Sequence, residues 1–240
     1  MKFIDKIKAK QNNVRGEKSI TAVFIGDSVT QGCFDVYVDH NGMGQPFYDY
    51  SLAPSTMFKE LINMLYPFVQ VNVINSGISG DTAKGCLERV ERDVLAFNPD
   101  LVVVSVGLND VWAGKDGVDN YKNNLKALFE KVVDSGAECI YMTQNCLNTY
   151  VSSLTAKGFE DTAQKLAKFQ NDGVLTALYE GGKQAASQTG VIVCDVYAKW
   201  LKLIEGGVDV TNLLSNKLNH PTVQMNYLFA ISLLETIFNN

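Results

Sequence analysis

Residues 19–28 read Ser-Ile-Thr-Ala-Val-Phe-Ile-Gly-Asp-Ser, and this stretch indicates the fold class. The part from Ile20 to Ile25 contains only apolar and β-branched residues, and it stops at Gly26. Such a run predicts a strand over Ser19–Ile25 that is buried on both faces. Strands of that kind occur mainly in parallel sheets that are covered by helices on both sides.

Similar apolar runs recur along the chain, each bounded by Gly, Pro, Asn or Asp. They predict four further strands, over Val69–Ile74, Leu101–Val106, Ala137–Met142 and Val191–Cys194. Between them, apolar residues fall at three- and four-residue intervals, a spacing that is typical of amphipathic helices. The predicted helices are Ser55–Tyr66, Thr82–Phe97, Asn120–Asp134, a long stretch over Phe159–Gln188, and Val223–Phe238.

This alternation of strands and helices predicts a three-layer α/β/α sandwich around a five-stranded parallel sheet. A length of 240 residues is compatible with one domain over residues 1–240, in which residues 1–18 form an N-terminal extension or helix. We therefore expect the site to lie at the carboxyl ends of the strands, where open α/β sheets bind their ligands.

The composition restricts the range of partners. The chain has a net charge of -5 and no basic stripe, so a nucleic-acid partner is not expected. Its first ten residues alternate charged and apolar side chains without the apolar core of a secretory signal. No later apolar run reaches membrane-spanning length. We expect a cytoplasmic protein without a membrane segment, and the sequence leaves its oligomeric state open.

The five cysteines are scattered along the chain and form neither a C-x-x-C pair nor a cluster with histidine. Such pairs and clusters are the usual sequence signs of redox or metal sites. We therefore expect reduced, mostly buried thiols and no metal site at Cys33, Cys86, Cys139, Cys146 and Cys194.

Hydroxyls, amides and glycines follow the predicted strands. The first strand leads into Gly26-Asp27-Ser28, and the later ones lead into residues 75–80, 107–110 and 143–145. A serine needs a base that accepts its proton before it can act as a nucleophile. The chain contains two histidines, His40 and His220, and His40 lies in a polar stretch that is typical of a loop.

Four ordered motifs resemble those of one enzyme family. Gly26-Asp27-Ser28, Gly80, Gly107-x-Asn109-Asp110 and His220-Pro221 are similar, in order and in position after the strands, to the motifs of the SGNH subgroup of the GDSL hydrolases. The resemblance extends from the first strand to the last helix. Four ordered motifs are more specific than Gly-Asp-Ser alone.

The resemblance implies a flavodoxin-like sandwich in which Ser28 attacks the acyl carbon and His220 accepts its proton. It also implies an oxyanion hole formed by the backbone amides of Ser28 and Gly80 and by the side chain of Asn109. It implies no metal and no organic cofactor. For Asp27 and Asp110 we expect structural roles, as hydrogen-bond acceptors in the turns that contain them.

One position departs from the family pattern. Members usually have an aspartate three residues before the histidine, where it orients the imidazole, and this chain has Lys217 there. A cation beside His220 would lower its basicity. The orienting group could instead be the carboxylate of Asp209, the amide of Asn216 or a backbone carbonyl, and of these we favour the carbonyl.

The segment Cys33–Ala53 holds several aromatic residues between the nucleophile motif and the first helix. It is predicted to hang over the site, where aromatic faces either contact substrate or pack the loop.

The resemblance thus implies a serine carboxylic-ester hydrolase that acts through an acyl-serine on small O-acetylated substrates such as acetylated sugars. A lysophospholipase or a short-chain acyl thioesterase is the enzymatic alternative. A catalytically impaired SGNH-fold protein that only binds a ligand is an alternative of another class. Nucleotide binding is disfavoured because the first strand-end loop lacks the lysine and the glycine spacing of phosphate loops.

Overall fold

A computed structural model describes residues 2–42 and 44–240 of the chain. The described strands are β1 (Ile20–Gly26), β2 (Cys33–Val38), β3 (Gly44–Tyr48), β4 (Val71–Gly77), β5 (Leu101–Ser105), β6 (Glu138–Met142) and β7 (Ile192–Cys194). Five of them form a parallel sheet in the order β4-β1-β5-β6-β7, and β2 pairs with β3 in a separate antiparallel hairpin. The predicted five-stranded parallel sheet is therefore confirmed.

Helices form two groups that pack against the sheet. The described α-helices are α1 (Phe3–Asn12), α2 (Ser28–Gln31), α3 (Pro54–Leu65), α4 (Ala83–Asp93), α5 (Val118–Asp134), α6 (Glu160–Asn171), α7 (Val174–Thr189), α8 (Val196–Glu205) and α9 (Val223–Asn239). One group contains α1, α3, α8 and α9, and the other contains α4 to α7, with the most extensive packing between α5 and α7. The predicted α/β sandwich is confirmed.

The core is formed by the central strands and the apolar faces of the helices. Every residue of β5 is buried, as its continuous run of valines predicts. Strand register then fixes where the strands end: Gly26 of β1 lies opposite Gly77 of β4 and Ser105 of β5. The loops that follow these strands therefore start at one level of the sheet.

Some elements differ from the sequence predictions. The long helix predicted over Phe159–Gln188 is two helices, because Gly173 between them has a left-handed backbone with φ of 73°. The hairpin β2–β3 and the helix α8 were not predicted. The N-terminal residues form α1, and the five cysteines are free and buried, as expected. Within the described part of the chain, no helix is long and apolar enough to cross a membrane.

Candidate active site

Ser28 lies at the point where β1 turns into the short helix α2. Asp27 caps this helix, since its Oδ1 accepts a hydrogen bond from the backbone N–H of Val29 at 3.0 Å. The same oxygen accepts a second bond, at 2.8 Å, from the side-chain amide of Gln144 after β6. Burial raises the pKa of the Asp27 carboxyl to about 7. The turn that presents Ser28 is thus fixed by hydrogen bonds from two strand ends.

The structure brings Ser28 and His220 together although they are far apart in the sequence. The Ser28 Oγ atom lies 2.9 Å from His220 Nε2, within hydrogen-bond distance. Both side chains are buried, and burial lowers the pKa of the His220 imidazole to about 4. His220 is therefore a neutral imidazole at neutral pH. His40, the other histidine, is exposed in the loop between β2 and β3.

The other ring nitrogen of His220 faces the side-chain amide of Asn216. Its Nδ1 atom lies 3.1 Å from Asn216 Nδ2, and that amide nitrogen also donates to Asn219 Oδ1 at 3.0 Å. Asn216 Oδ1 accepts hydrogen bonds from the backbone N–H groups of Leu218, Asn219 and His220, each at 3.0 Å. One side chain therefore both closes the loop that contains His220 and contacts its imidazole.

Backbone contacts attach this loop to the rest of the protein. Leu214 and Pro221 form an isolated antiparallel bridge, and the N–H of Ser215 donates to the carbonyl of His220 at 2.7 Å. At the end of β6, the side chain of Asn145 donates to the carbonyl of Asn219 at 2.8 Å. The sequence pattern contained no signal for the Asn145 contact. It depends on a loop that returns to the sheet edge after more than seventy residues.

The structure corrects two of the predictions about the orienting group. Asp209 does not contact His220, because its carboxylate accepts hydrogen bonds from the N–H of Thr211 and from the side chains of Tyr150 and Asn212. Among the described residues, no backbone carbonyl bonds to His220 Nδ1, so the favoured carbonyl is also wrong. Of the three candidates, Asn216 is the one in contact.

The charge of Lys217 is not what lowers the basicity of His220, although its position in the sequence suggested that it would be. Its amine donates to the carbonyl of Asn212 at 3.2 Å, which directs it away from the imidazole. The lowered pKa of His220 has burial as its cause and not the charge of this lysine. Lys217 itself has a left-handed backbone with φ of 60°, as the tight turn between Asn216 and His220 requires.

Gly80 and Asn109 lie beside Ser28 in the same cleft. Gly80 has a left-handed backbone with φ of 81°, and a Cβ atom there would meet no other heavy atom within 4 Å, so its backbone is open to the cleft. The Asn109 side chain donates one hydrogen bond, at 2.9 Å, to the carbonyl of Asp81. Asp110 accepts from the N–H of Ala83 at the start of α4, which is the structural role expected of it.

The cleft has a volume of about 240 Å³ and a mixed lining. Its polar side includes Ser28, His220 and Asn109, and its apolar side contains the side chains Val36, Trp112, Phe159, Leu166 and Leu218. Val36 belongs to the hairpin β2–β3, so the segment Cys33–Ala53 does reach the site. Trp112 and Phe159 were not among the predicted site residues, since aromatic residues in loops have no distinctive spacing.

The described residues contain no group of three or more His, Cys, Asp or Glu side chains that could hold a metal ion. The groups that converge in the cleft are a hydroxyl, an imidazole and amide donors. These groups are suited to acyl transfer, in which a base activates a hydroxyl and amides bind the negative charge that develops on the acyl oxygen.

A serine, a histidine and amide donors at one edge of a parallel sheet are the combination of groups that serine hydrolases use. The sequence supports this class independently, because a family model described as the GDSL-like lipase/acylhydrolase family matches residues 24–227. The chain belongs to this family.

Two curated proteins are similar in sequence. An acetylxylan esterase from Geobacillus stearothermophilus is 32% identical over 126 residues, which are 47% of this chain and 52% of that protein. An arylesterase from Vibrio mimicus is 33% identical over 100 residues, which are 42% of this chain and 49% of that protein. The chain thus spans about half the length of the curated relatives it matches.

Solved structures share the fold over nearly the whole chain. The acetylxylan esterase from Geobacillus stearothermophilus superposes with a TM-score of 0.62 at 23% identity, covering 91% of this chain and 94% of its own. An α/β hydrolase from the metagenome of Lake Arreo gives a TM-score of 0.67 at 18% identity, with 92% and 97% covered. For the acetylxylan esterase, catalytic mutants at a serine, a histidine and an aspartate have been solved.

Proposed function

We propose that this protein is a serine carboxylic-ester hydrolase in which Ser28 is the nucleophile and His220 the general base. The observation that carries the proposal is the 2.9 Å distance between Ser28 Oγ and His220 Nε2, inside a cleft that Gly80 and Asn109 also line. Family membership supports it, and so do the two esterases that are similar in sequence.

In the proposed reaction, Ser28 Oγ attacks the acyl carbon while its proton moves to His220 Nε2. The negative charge on the acyl oxygen is bound by the N–H groups of Ser28 and Gly80 and by the side chain of Asn109. The tetrahedral intermediate then expels the alcohol, which takes the proton from Nε2 and leaves an acyl-serine. Water repeats the sequence in the second half-reaction, releasing the acid and restoring Ser28.

We propose small O-acetylated substrates, such as acetylated sugars. A cleft of about 240 Å³ has room for a short acyl group with part of its alcohol. Trp112 is half-exposed at the cleft and offers an aromatic face on which a sugar ring can stack. The similar acetylxylan esterase supports this substrate class. A lysophospholipase or short-chain thioesterase remains the enzymatic alternative, and the acyl-length profile separates these activities.

A second candidate function is ligand binding by a catalytically impaired member of the family. One observation favours it: the nitrogen of His220 that usually contacts a carboxylate faces the Asn216 amide instead. An impaired protein would bind an acetylated sugar without releasing acetate.

The test measures hydrolysis of p-nitrophenyl acetate, butyrate and octanoate and of an acetylated xylo-oligosaccharide. Ser28→Ala and His220→Ala are each expected to lower kcat/KM by about 10³-fold or more, because nucleophile and base act as a unit. The exposed residues Ser153 and His40 provide matched alanine controls, which we expect to retain activity. Turnover of Ser28→Ala at the wild-type rate would refute the proposal. Binding without turnover in the wild type would support the impaired protein.

A further inference from the structure

The contact between Asn216 and His220 has a direction that can be derived from its hydrogen bonds. Amide oxygen and nitrogen are distinguished by the partners that each must have. Asn216 Oδ1 lies 3.0 Å from the backbone nitrogens of Leu218, Asn219 and His220, and these N–H groups all donate. Rotating the amide by 180° would place an NH₂ group against those donors. The orientation in which Nδ2 faces the imidazole is therefore fixed.

The protonation of the ring follows from that orientation. Asn216 Nδ2 carries two hydrogens and has two partners, Asn219 Oδ1 at 3.0 Å and His220 Nδ1 at 3.1 Å. An amide nitrogen only donates, so Nδ1 must accept and cannot carry a proton. A neutral imidazole has one N–H, and it is then on Nε2. This N–H donates to Ser28 Oγ, which lies 2.9 Å away.

We infer that Asn216 is a positioning residue that holds His220 in the tautomer with its proton on Nε2, which is the reverse of the tautomer that activates Ser28. The inference deepens the proposed function and rests on it. Nε2 has no lone pair in this resting state, so it cannot accept the serine proton. Turnover must therefore pass through the minor tautomer. In that tautomer the ring proton is on Nδ1, which faces the Asn216 amide, and Nε2 has a free lone pair.

No other described group accepts a hydrogen bond from His220 Nδ1, which would be needed to keep a proton on that nitrogen. The Lys217 amine bonds to the carbonyl of Asn212, and the Asp209 carboxylate bonds to Tyr150, Asn212 and Thr211. Asp27, behind the nucleophile, bonds through Oδ1 to Val29 and Gln144. Burial keeps the imidazole neutral, so the choice between its two tautomers decides whether the base is competent.

One substitution would reverse the tautomer without changing the shape of the side chain. In Asn216→Asp, one carboxylate oxygen keeps the three backbone N–H groups and the other accepts a proton-bearing Nδ1. At present Asn219 Oδ1 accepts a hydrogen bond from the Asn216 amide. In the variant, the Asn219 amide can rotate so that its NH₂ group donates to the second carboxylate oxygen instead. Nε2 becomes an acceptor for the Ser28 hydroxyl. A carboxylate at this position also favours the imidazolium that forms during turnover.

The test compares the wild type with Asn216→Asp by long-range ¹H–¹⁵N spectra of the histidine rings and by steady-state kinetics. The chain has two histidines, so a His40→Ala background isolates the signal of His220. We expect Nε2–H in the wild type and Nδ1–H in Asn216→Asp. In serine-protease triads, exchanging aspartate and asparagine changes kcat by roughly 10⁴-fold, so here we expect a gain of at least about tenfold in kcat with little change in KM.

Asn123→Asp is the matched control, because it makes the same substitution at an exposed residue outside the site. It is expected to leave kcat and the tautomer unchanged. Nδ1–H in the wild type would overturn the inference even if Asn216→Asp failed to fold. A fall in kcat for a folded Asn216→Asp would also overturn it. Loss of the proposed esterase function is a separate outcome, because the ring spectra report the tautomer whether or not esters are cleaved.

Discussion

The two sides of the candidate site are built in different ways. On the serine side, Ser28, Gly80 and Asn109 follow β1, β4 and β5, whose ends are aligned by sheet register. On the histidine side, His220 lies in a loop that is closed by the side chain of Asn216. The serine side is therefore placed by sheet register and a buried core, and the Asp27 and Gln144 side chains fix the turn at Ser28. The histidine side has no strand to place it and is positioned by side chains of one loop, so a substitution there can change which atom faces the imidazole.

The largest effect expected in a test of this comparison is at Asn109, the proposed oxyanion donor on the serine side. Asn109→Ala should lower kcat by roughly 10²- to 10³-fold with little change in KM, because the lost amide is needed mainly in the transition state. Ester hydrolysis measured beside the exposed Asn123→Ala variant checks this. Equal losses in both variants, or a rise in KM alone, would show that Asn109 only shapes the turn with Asp81.

A second test concerns the basicity of His220. Burial lowers the pKa of its imidazole from 6.5 to about 4, so the proposed base stays neutral well below the pH at which an exposed histidine gains a proton. The kcat/KM of the wild type should be flat from neutral pH to about pH 5 and then fall by about tenfold per unit below pH 4. Circular dichroism at each pH distinguishes this acid-side fall in kcat/KM from unfolding of the protein. The Asp27 carboxyl beside Ser28 has a raised pKa of about 7, so the profile is also measured in Asp27→Asn. An inflection near 6.5 that persists in that variant would contradict a buried imidazole without a carboxylate partner.

The smallest effect is on stability, at Asp27 on the serine side. Its pKa is raised from 3.8 to about 7 by burial, so the folded state binds more protons than the unfolded state between these values. The free energy of unfolding should therefore fall as the pH rises from about 4 to 7. Asp27→Asn removes this dependence, and we expect the two proteins to diverge by on the order of 3 kcal/mol over that range.

Urea unfolding at several pH values measures the difference between wild type and Asp27→Asn. The exposed Asp119→Asn variant is the control, and it should follow the wild type. The lowered pKa of His220 acts in the opposite direction between about pH 4 and 6.5, but it is common to all three proteins and cancels in the comparison. Parallel curves for wild type and Asp27→Asn would show that Asp27 is ionised in the folded protein.

The sequence predicted the serine side well because its signals are local. An apolar run predicts a buried strand, and the residue after the strand lies at the sheet edge whatever the loops do. The hairpin β2–β3 was missed because most of its residues are exposed and it contains Pro46, so no clear alternation marks it. The break at Gly173 was missed because apolar residues continue at helical intervals on both sides of it.

The amino-acid sequence by itself determined the α/β class, the five strands of the sheet and the serine, glycine, asparagine and histidine motifs. Each of these depends on residue type and spacing within a short segment. The tertiary structure alone decided which group contacts His220 Nδ1. Asn216, Asp209 and a backbone carbonyl were all possible partners, because each can lie close to His220 along the chain. That choice depends on which atom of a folded loop points at the ring, and three backbone N–H groups fix it by holding the Asn216 oxygen.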